Sequence, residues 1–578
     1  MPRLHALPAA LSRSGRRRGT ARVRRALSPR GALALQSVDG ALSFALRAAL
    51  AMALPALPMA LAGHADLAVY AMLGSFTTTF GRNLPYARRA RVLALVAVTM
   101  TACVAGGSAL AAWADPRSGG AGAAVVVAAM AAVAGAAKFA CDAARLSGLG
   151  AVLLLFSFAV AANGSPGAGD ILPRTALAAS GAAVAWVLAV SGRLVHPDRP
   201  QRLAAAAALR TVADLREAGA GDARGHRHRA TAAVLQAYRT LGAMPPDAAG
   251  RTVRGDSLIR LTDLSWALLN DSADGAPDLV PLLRRQARVL AGRRRDPQPL
   301  PGLAALMPAG GAGPVREVPA TGHAAGLRAT ELTTGARPGG HGRTAVLLVP
   351  ALRMTLGTGL AGGAALALGL GHGYWAAISA AAVLHSVNVR TAAQRAVQRT
   401  LGTVAGLLLA LGVLATGPGP VVLVLVIVLL EFLLEYVVAR NYGFGVVFLT
   451  PLALLLTDLA APSPAGTLVQ DRALGSVVGV VIALGCALVV VHDHAAVRVQ
   501  RALAACTQAS DGAAYAMGAG AEASFPVLQA HLAAAVVELR EADDAAAGEI
   551  WSAEIDPTEL AAAEQRAHLL LGRLARWR

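Results

Sequence analysis

Two apolar runs of bilayer-spanning length, residues 421–438 and 443–459, meet at a short polar hinge, Arg440-Asn441-Tyr442-Gly443. No water is available inside a bilayer to satisfy backbone N–H and C=O groups, so such runs have to be helices or barrel strands, and no alternating dyad pattern of barrel strands is visible. The first run also carries two acids, Glu431 and Glu435, four residues apart and therefore on one helical face. A carboxylate within a spanning segment costs several kcal/mol unless it faces a partner or a wet cavity, which makes it a functional candidate by default.

The rest of the chain follows the same plan. The 578 residues are 55% hydrophobic and only 15% charged, against about a quarter charged for a soluble domain. The net charge of +19 sits at the ends of apolar segments, as the positive-inside rule requires. No basic groove interleaved with aromatics is found, which argues against nucleic acid as a partner. Four scattered cysteines, with no C-x-x-C and no histidine at ligand spacing, give neither a disulfide framework nor a metal site. Nearly every cation is arginine, Lys138 being the one lysine, so a single arginine carries less information than usual.

Residues 1–40 read as a basic, disordered cytoplasmic tail, with a cleaved signal peptide as the weaker alternative. Spans are predicted at residues 41–63, 66–80, 92–113, 121–137, 148–162 and 175–194, making a first six-helix block over 41–195. Residues 196–343 are charged, with amphipathic helical patterns followed by a Gly/Pro-rich return linker, and read as a cytoplasmic helical domain. A second block over 344–492 repeats the first, with spans at 345–370, 374–387, 400–416, 421–438, 443–459 and 474–491. A second cytoplasmic helical region covers 493–578. Ala45-Leu46-Arg47 matches Ala351-Leu352-Arg353, and Arg174-Thr-Ala-Leu matches Arg472-Ala-Leu. The expected fold is therefore an all-α polytopic membrane protein of about twelve transmembrane helices in two parallel six-helix repeats, both termini cytoplasmic.

Several residues are candidates for a substrate or proton path, each with a plainer reading beside it. Glu431 is the first: an acid that takes up a proton near neutral pH can couple proton flow to substrate movement, and a buried structural pair is the alternative. Glu435 lies nearer the cytoplasmic boundary, where simple solvation competes. Arg47 and Arg353 hold matched places in the first span of each block and either pair with an anionic substrate or anchor at the interface. Arg440 attracts anions at the cytoplasmic mouth or lies at the interface. Asn441 and Tyr442 either contact substrate or close the turn, the structural role leading. Thr450-Pro451 interrupts a span, which gives a broken helix beside a cavity or a plain kink.

The hinge and its surroundings resemble a known family. Arg440-Asn441-Tyr442 followed by Val446-Val447-Phe448-Leu449-Thr450-Pro451-Leu452-Ala453-Leu454-Leu455, the basic connection from Gln394-Arg395 to Gln398-Arg399-Thr400, and Asp471-Arg472 with Gly475 are similar to the fusaric acid resistance protein-like (FUSC) family, which includes aromatic acid exporters of bacterial inner membranes. The resemblance implies export of small, often aromatic, carboxylic acids or drug-like compounds from the cell. The first block departs from it, with Lys138-Phe139-Ala140-Cys141 where the second has its hinge.

No protease, hydrolase or P-loop motif is found, so no enzyme activity, catalytic residue, metal or cofactor is expected, and uphill export would draw on an ion gradient. The expected partners are the lipid bilayer, a small organic acid and protons. A homo-oligomer is compatible with this layout. A passive organic-anion channel and a membrane scaffold or regulator without transport are the alternatives.

Overall fold

The computed structural model describes residues 40–82, 84–116, 120–144, 146, 150–164, 166–218, 223–242, 253–270, 278–292, 299–304, 321–334, 342–386, 388–489, 494–547 and 556–576. Residues 1–39 of the expected N-terminal tail over 1–40 and much of the return linker lie outside them. Among the described residues there are helices and no strand. In chain order the first helices are α1 (Ala41–Leu61), α2 (Ala65–Ser75), α3 (Tyr86–Ala114), α4 (Gly120–Ala143), α5 (Gly150–Ala162) and α6 (Ile171–Val195). Then come α7 (Arg199–Glu217), α8 (Ala223–Leu241), α9 (Val253–Asn270), α10 (Leu279–Ala291), the single turn α11 (Pro301–Ala304) and α12 (Thr321–Thr334). The remainder are α13 (Gly342–Ala367), α14 (Tyr374–Leu384), α15 (Val389–Ala415), α16 (Pro420–Val438), α17 (Tyr442–Ala460), α18 (Ala465–Val489), α19 (His494–Gly518), α20 (Phe525–Ala546) and α21 (Pro557–Arg576).

The chain divides into two compact units, one of residues 1–80, 95–186 and 347–490, the other of residues 81–94, 187–346 and 491–578. Among the described residues, eight helices are long and apolar enough to cross a membrane: α1, α3, α4, α6 and α15 to α18. Twelve spans were expected from hydropathy; α13, of 26 residues, is not among the eight. Three of the apolar runs fold as short helices, α2, α5 and α14, of 11, 13 and 11 residues. At about 1.5 Å per residue they reach only about 16–20 Å, well short of the roughly 30 Å hydrocarbon core. Every residue of α5 and of α14 is buried. A helix apolar on all sides is hidden inside protein as readily as in lipid, and hydropathy alone does not separate the two cases.

The lipid-facing surface is recognisable from leucines at every fourth position. Leu42, Leu46, Leu50 and Leu54 on α1 are 45–54% exposed, and Leu348, Leu352, Leu356 and Leu360 on α13 are 49–57% exposed. Inside, packing relies on glycine. A Cβ on Gly181 of α6 would overlap the carbonyl oxygen of Ala71 on α2, and a Cβ on Gly479 of α18 would overlap that of Ala376 on α14 and stand 2.7 Å from Ser379 Cβ. On α15, a Cβ at Gly406 would stand 2.7 Å from Thr450 Cβ of α17. Without a hydrophobic drive between helices in lipid, close backbone approach at small residues supplies the dispersion contact that holds the bundle.

In the second unit, helices from the two charged segments of the sequence share one hydrophobic core, in which Val212, Tyr238 and Leu283 lie with Leu532, Val536 and Leu571. Arg328 of α12 ties the segments together. It forms an ion pair with Asp263 at 3.1 Å, donates to the Tyr238 hydroxyl and, through Nη2, to Gln529 Oε1 of α20 at 2.8 Å. Its guanidinium also stands 5.4 Å from the Trp266 ring centroid. Burial lifts the Tyr238 hydroxyl well above its usual range. On α21, burial, with help from Arg227 and His228, pushes the His568 imidazole down from 6.5 to about 4.

Two stability predictions follow from these contacts. Gly479→Ala is expected to lower the thermal midpoint of the purified protein in detergent, by about 1–3 kcal/mol of overpacking. Gly485→Ala on the same helix, with open space around the new methyl, is expected to raise it by about 0.5–1 kcal/mol. Folded His568 is neutral, whereas the unfolded chain takes up a proton below pH 6.5. The second unit should therefore lose stability as pH falls from 6.5 towards 4, by on the order of 3 kcal/mol. Hydrogen exchange on α21 measured across that range should show the loss, and His568→Gln should flatten it.

Candidate functional site

A cavity of about 280 Å³ opens within the first unit, where α5 and α17 end and α6 and α14 begin. Its polar lining comes from Tyr70, Asn163, Arg174, His372, Tyr374 and Thr457. Local sequence explains each placement. Arg174 stands in the first turn of α6, seven residues before Gly181, so the glycine contact with α2 lays the guanidinium over Tyr70, 4.8 Å from the ring centroid. Among the described residues it pairs with Asp170 at 3.9 Å, and its Nε and Nη1 are buried without a hydrogen-bond partner. His372 precedes α14, and its Nδ1 and backbone N–H both meet Asp471 Oδ2, at 2.8 and 3.1 Å. Tyr374 donates to the Thr457 hydroxyl at 3.4 Å.

Behind Tyr374 the aromatic and basic groups continue inward. Trp375 packs against Tyr374 at 4.7 Å between ring centroids and against Phe156 at 6.2 Å. Arg472 of α18 lies over the Trp375 ring at 4.1 Å, again seven residues before the contact glycine, Gly479. Arg399 of α15 donates to Ser379 Oγ at 3.2 Å and to the Tyr442 hydroxyl at 3.4 Å. Arg395, one turn before it, stands 5.4 Å from the Tyr442 ring centroid. Arg399 and Arg472 are fully buried, at 0% and 1% exposure.

The residues singled out from the sequence do not line this cavity. Glu431 and Glu435 are 1% and 2% exposed, on a helix whose main neighbours are α1 and α17. Glu435 is thus as deeply buried as Glu431 rather than solvated at a boundary, and both are engaged by other groups. Arg47, on α1, has its guanidinium 4.6 Å from the Phe44 ring centroid. Arg353 is buried and donates to the carbonyl oxygens of Ser386 at 2.6 Å and Leu384 at 3.4 Å, closing the C-terminal end of α14. The matched pair therefore occupies different surroundings. Arg440 donates to the Tyr436 carbonyl at 2.9 Å and covers the Tyr436 ring. Asn441 caps α17, its Oδ1 accepting from Gly443 N at 2.8 Å and Phe444 N at 3.4 Å. Tyr442 of this hinge reaches the basic groups just described. Thr450 and Pro451 lie inside an uninterrupted α17, packed against Gly406.

What sequence reading missed is Tyr70, Arg174, His372, Trp375 and Arg472. One signal was available: an arginine followed seven residues later by glycine occurs at both 174–181 and 472–479. A cluster that could hold a metal ion is not found among the described residues.

The arrangement is suited to binding an anion. Arginine donors without acceptors favour an anion, the flanking rings favour a flat apolar body, and the volume lies at the small end of ligand pockets, about 300–1,000 Å³. Expected outcome: Arg174→Gln weakens binding of benzoate to the purified protein at least tenfold in calorimetry, with little change in thermal midpoint, because Arg174 holds no strong ion pair.

Comparison with known proteins bears on the same region. Residues 360–537 match the sequence profile of the family described as Fusaric acid resistance protein-like. That range carries Trp375, Arg399, the Arg440 to Tyr442 hinge and Arg472, and continues through α19 into α20. The chain is 41% identical over 120 residues to an uncharacterized membrane protein, YvaC, of Bacillus subtilis (strain 168). This stretch is 20% of the present chain and 19% of that relative, so the match spans about a fifth of the relative's length. No solved structure matches. The protein is thus an all-helical membrane protein whose residues 360–537 are similar to the fusaric acid resistance protein-like family, as its hinge and TPLALLL motifs indicate.

Proposed function

We propose that the protein is a multi-pass exporter of the bacterial inner membrane that moves small organic acids, aromatic monocarboxylates foremost, out of the cell. The observation that carries this reading is the cavity, in which Arg174, over the Tyr70 ring, has N–H donors without a hydrogen-bond partner among the described residues and Tyr374 adds a second ring to the lining. A carboxylate satisfies the guanidinium and a flat ring stacks on the tyrosines. The family match over residues 360–537 agrees with transport. A volume of about 280 Å³ favours a single small acid over a drug-sized molecule.

The architecture behind this function is a parallel duplication, α1 to α6 and α13 to α18, with both termini in the cytoplasm. Supporting it, the pair Tyr70-Ala71 meets Arg174 and Gly181 as Trp375-Ala376 meets Arg472 and Gly479. The exposed leucines of α1 and α13 also recur in step. Arginine placement at the connections puts the cavity on the outer side and the Arg440 hinge on the inner side. Substrate then leaves through the cavity.

Energy comes from the proton gradient, with Glu431 as the group that exchanges the proton. Its burial on α16 beside Glu435 supports this, since two acids one turn apart in an apolar bundle cannot both stay charged cheaply. Beyond lipid, protons and the acid, no nucleic acid, cofactor or enzymatic step enters the reading.

Accumulation of radiolabelled benzoate in inverted vesicles tests it. Acidifying the vesicle interior should drive uptake, Arg174→Gln should cut the initial rate about tenfold by raising KM, and Glu431→Gln should make the residual flux indifferent to the gradient. Flux that ignores the gradient in the unaltered protein and follows voltage instead would identify a channel, and no flux at all would remove the transport reading.

A further inference from the structure

We infer that Arg399 and Arg472 form a second, occluded carboxylate-binding site in the interior of the membrane unit, behind Trp375, where the exported acid pauses between the two sides. This rests on the exporter reading above and locates a step of it.

The inference comes from charge and hydrogen-bond accounting at residues that the outer cavity does not use. Arg399 and Arg472 are 0% and 1% exposed, and among the described residues neither meets a carboxylate oxygen within 4.0 Å. Arg399 is also one of the charges acting on Arg472, so the two cations feel each other. The nearest acid in sequence, Asp471, is turned to His372. Guanidinium does not shed its proton in a protein, so the pair cannot become neutral as a buried lysine would. Isolated buried cations are strongly unfavourable, and two together more so.

Among the described residues, the nitrogens left without a partner around the two arginines are all donors. Arg472 Nε and Nη1, Arg399 Nε and the indole Nε1 of Trp375 are buried donors with no acceptor. Ser476, one turn after Arg472 on α18, adds a buried hydroxyl without a partner. Nitrogen donors without an acceptor among them call for an anion. A carboxylate takes two N–H groups in the plane of one guanidinium and still accepts from a neighbour. Ser379 and Tyr442 already hold Arg399 from its other nitrogens, which fixes its fork in place. Trp375 has one ring face on Arg472 and its neighbour Tyr374 on the outer cavity, so it stands between the two sites. An aromatic acid passing between them exchanges one aromatic-backed arginine for another. The occupant is a monoanion, for which the substrate carboxylate and a halide are the two sources.

The test uses the full-length protein in detergent, with sodium benzoate and sodium chloride as separate probes. Thermal midpoint and intrinsic tryptophan fluorescence are followed as each is titrated. The expected result is that benzoate raises the midpoint saturably in the unaltered protein and quenches a component of fluorescence that Trp375→Phe removes. Arg399→Gln and Arg472→Gln should each raise the midpoint of the anion-free protein, because an uncompensated cation is gone. Both should weaken the benzoate response at least tenfold, whereas Arg174→Gln should leave the Trp375 quench in place. Variants that melt lower without anion, or that keep the full benzoate response, would overturn the site, since the arginines would then be structurally satisfied. Chloride saturating the site as well as benzoate would assign it to a resident halide and overturn its place on the substrate path. Loss of flux in vesicles with the quench intact would count against the exporter reading alone, and flux unchanged in Arg472→Gln would count against this site alone.

Discussion

The membrane unit depends on helix backbones coming close enough to touch. Where Gly181 faces Ala71 and Gly479 faces Ala376, no side chain separates the helices. In lipid this contact has to supply what a hydrophobic core supplies in water, because tails and leucines are equally apolar. The same approach also sets the functional groups. An arginine two turns before each glycine is carried onto the aromatic residue that precedes the contacted alanine, at Tyr70 and at Trp375. Packing and anion chemistry are thus set by one arrangement, used twice.

Much of the fold was legible because the bilayer constrains sequence so strongly. The long helices α1, α3, α4, α6 and α15 to α18 fall where the apolar runs predicted them. The short helices were legible as apolar but not as short. Residues 148–162 and 374–387 are as hydrophobic as a span, and only tertiary burial shows that α5 and α14 are enclosed by other helices. The shared core of the second unit was invisible for a different reason. Amphipathic periodicity shows that a helix has an apolar face but not what covers it, and Val212 and Val536 are joined in a core across the whole second helical block.

The site was less legible, and the reason is statistical as well as physical. With nearly all the cations being arginine, Arg174, Arg399 and Arg472 stood among many. Acids are rare in the spans, so attention went to Glu431 and Glu435. The structure buries both acids, Glu435 against the expectation of solvation, and guanidinium and indole nitrogens stand among the buried groups it leaves short of hydrogen-bond partners. Asn441 and Pro451 show the converse: polar or irregular residues in apolar runs that serve a helix end and helix packing.

The shared core of the second unit also bears on how the chain is made. Helices α7 to α12 leave the ribosome before α13, but the partners that cover their apolar faces, α19 to α21, come last. At ordinary rates of synthesis the intervening residues 342–489 take roughly ten seconds or more. During that interval the first segment waits with Val212, Tyr238 and Leu283 short of their final neighbours, while the second helical block is inserted. Completion of the second unit's core is therefore ordered behind synthesis of the second helical block, and a chain that stalls there leaves the first segment exposed to proteases and to other unfinished copies.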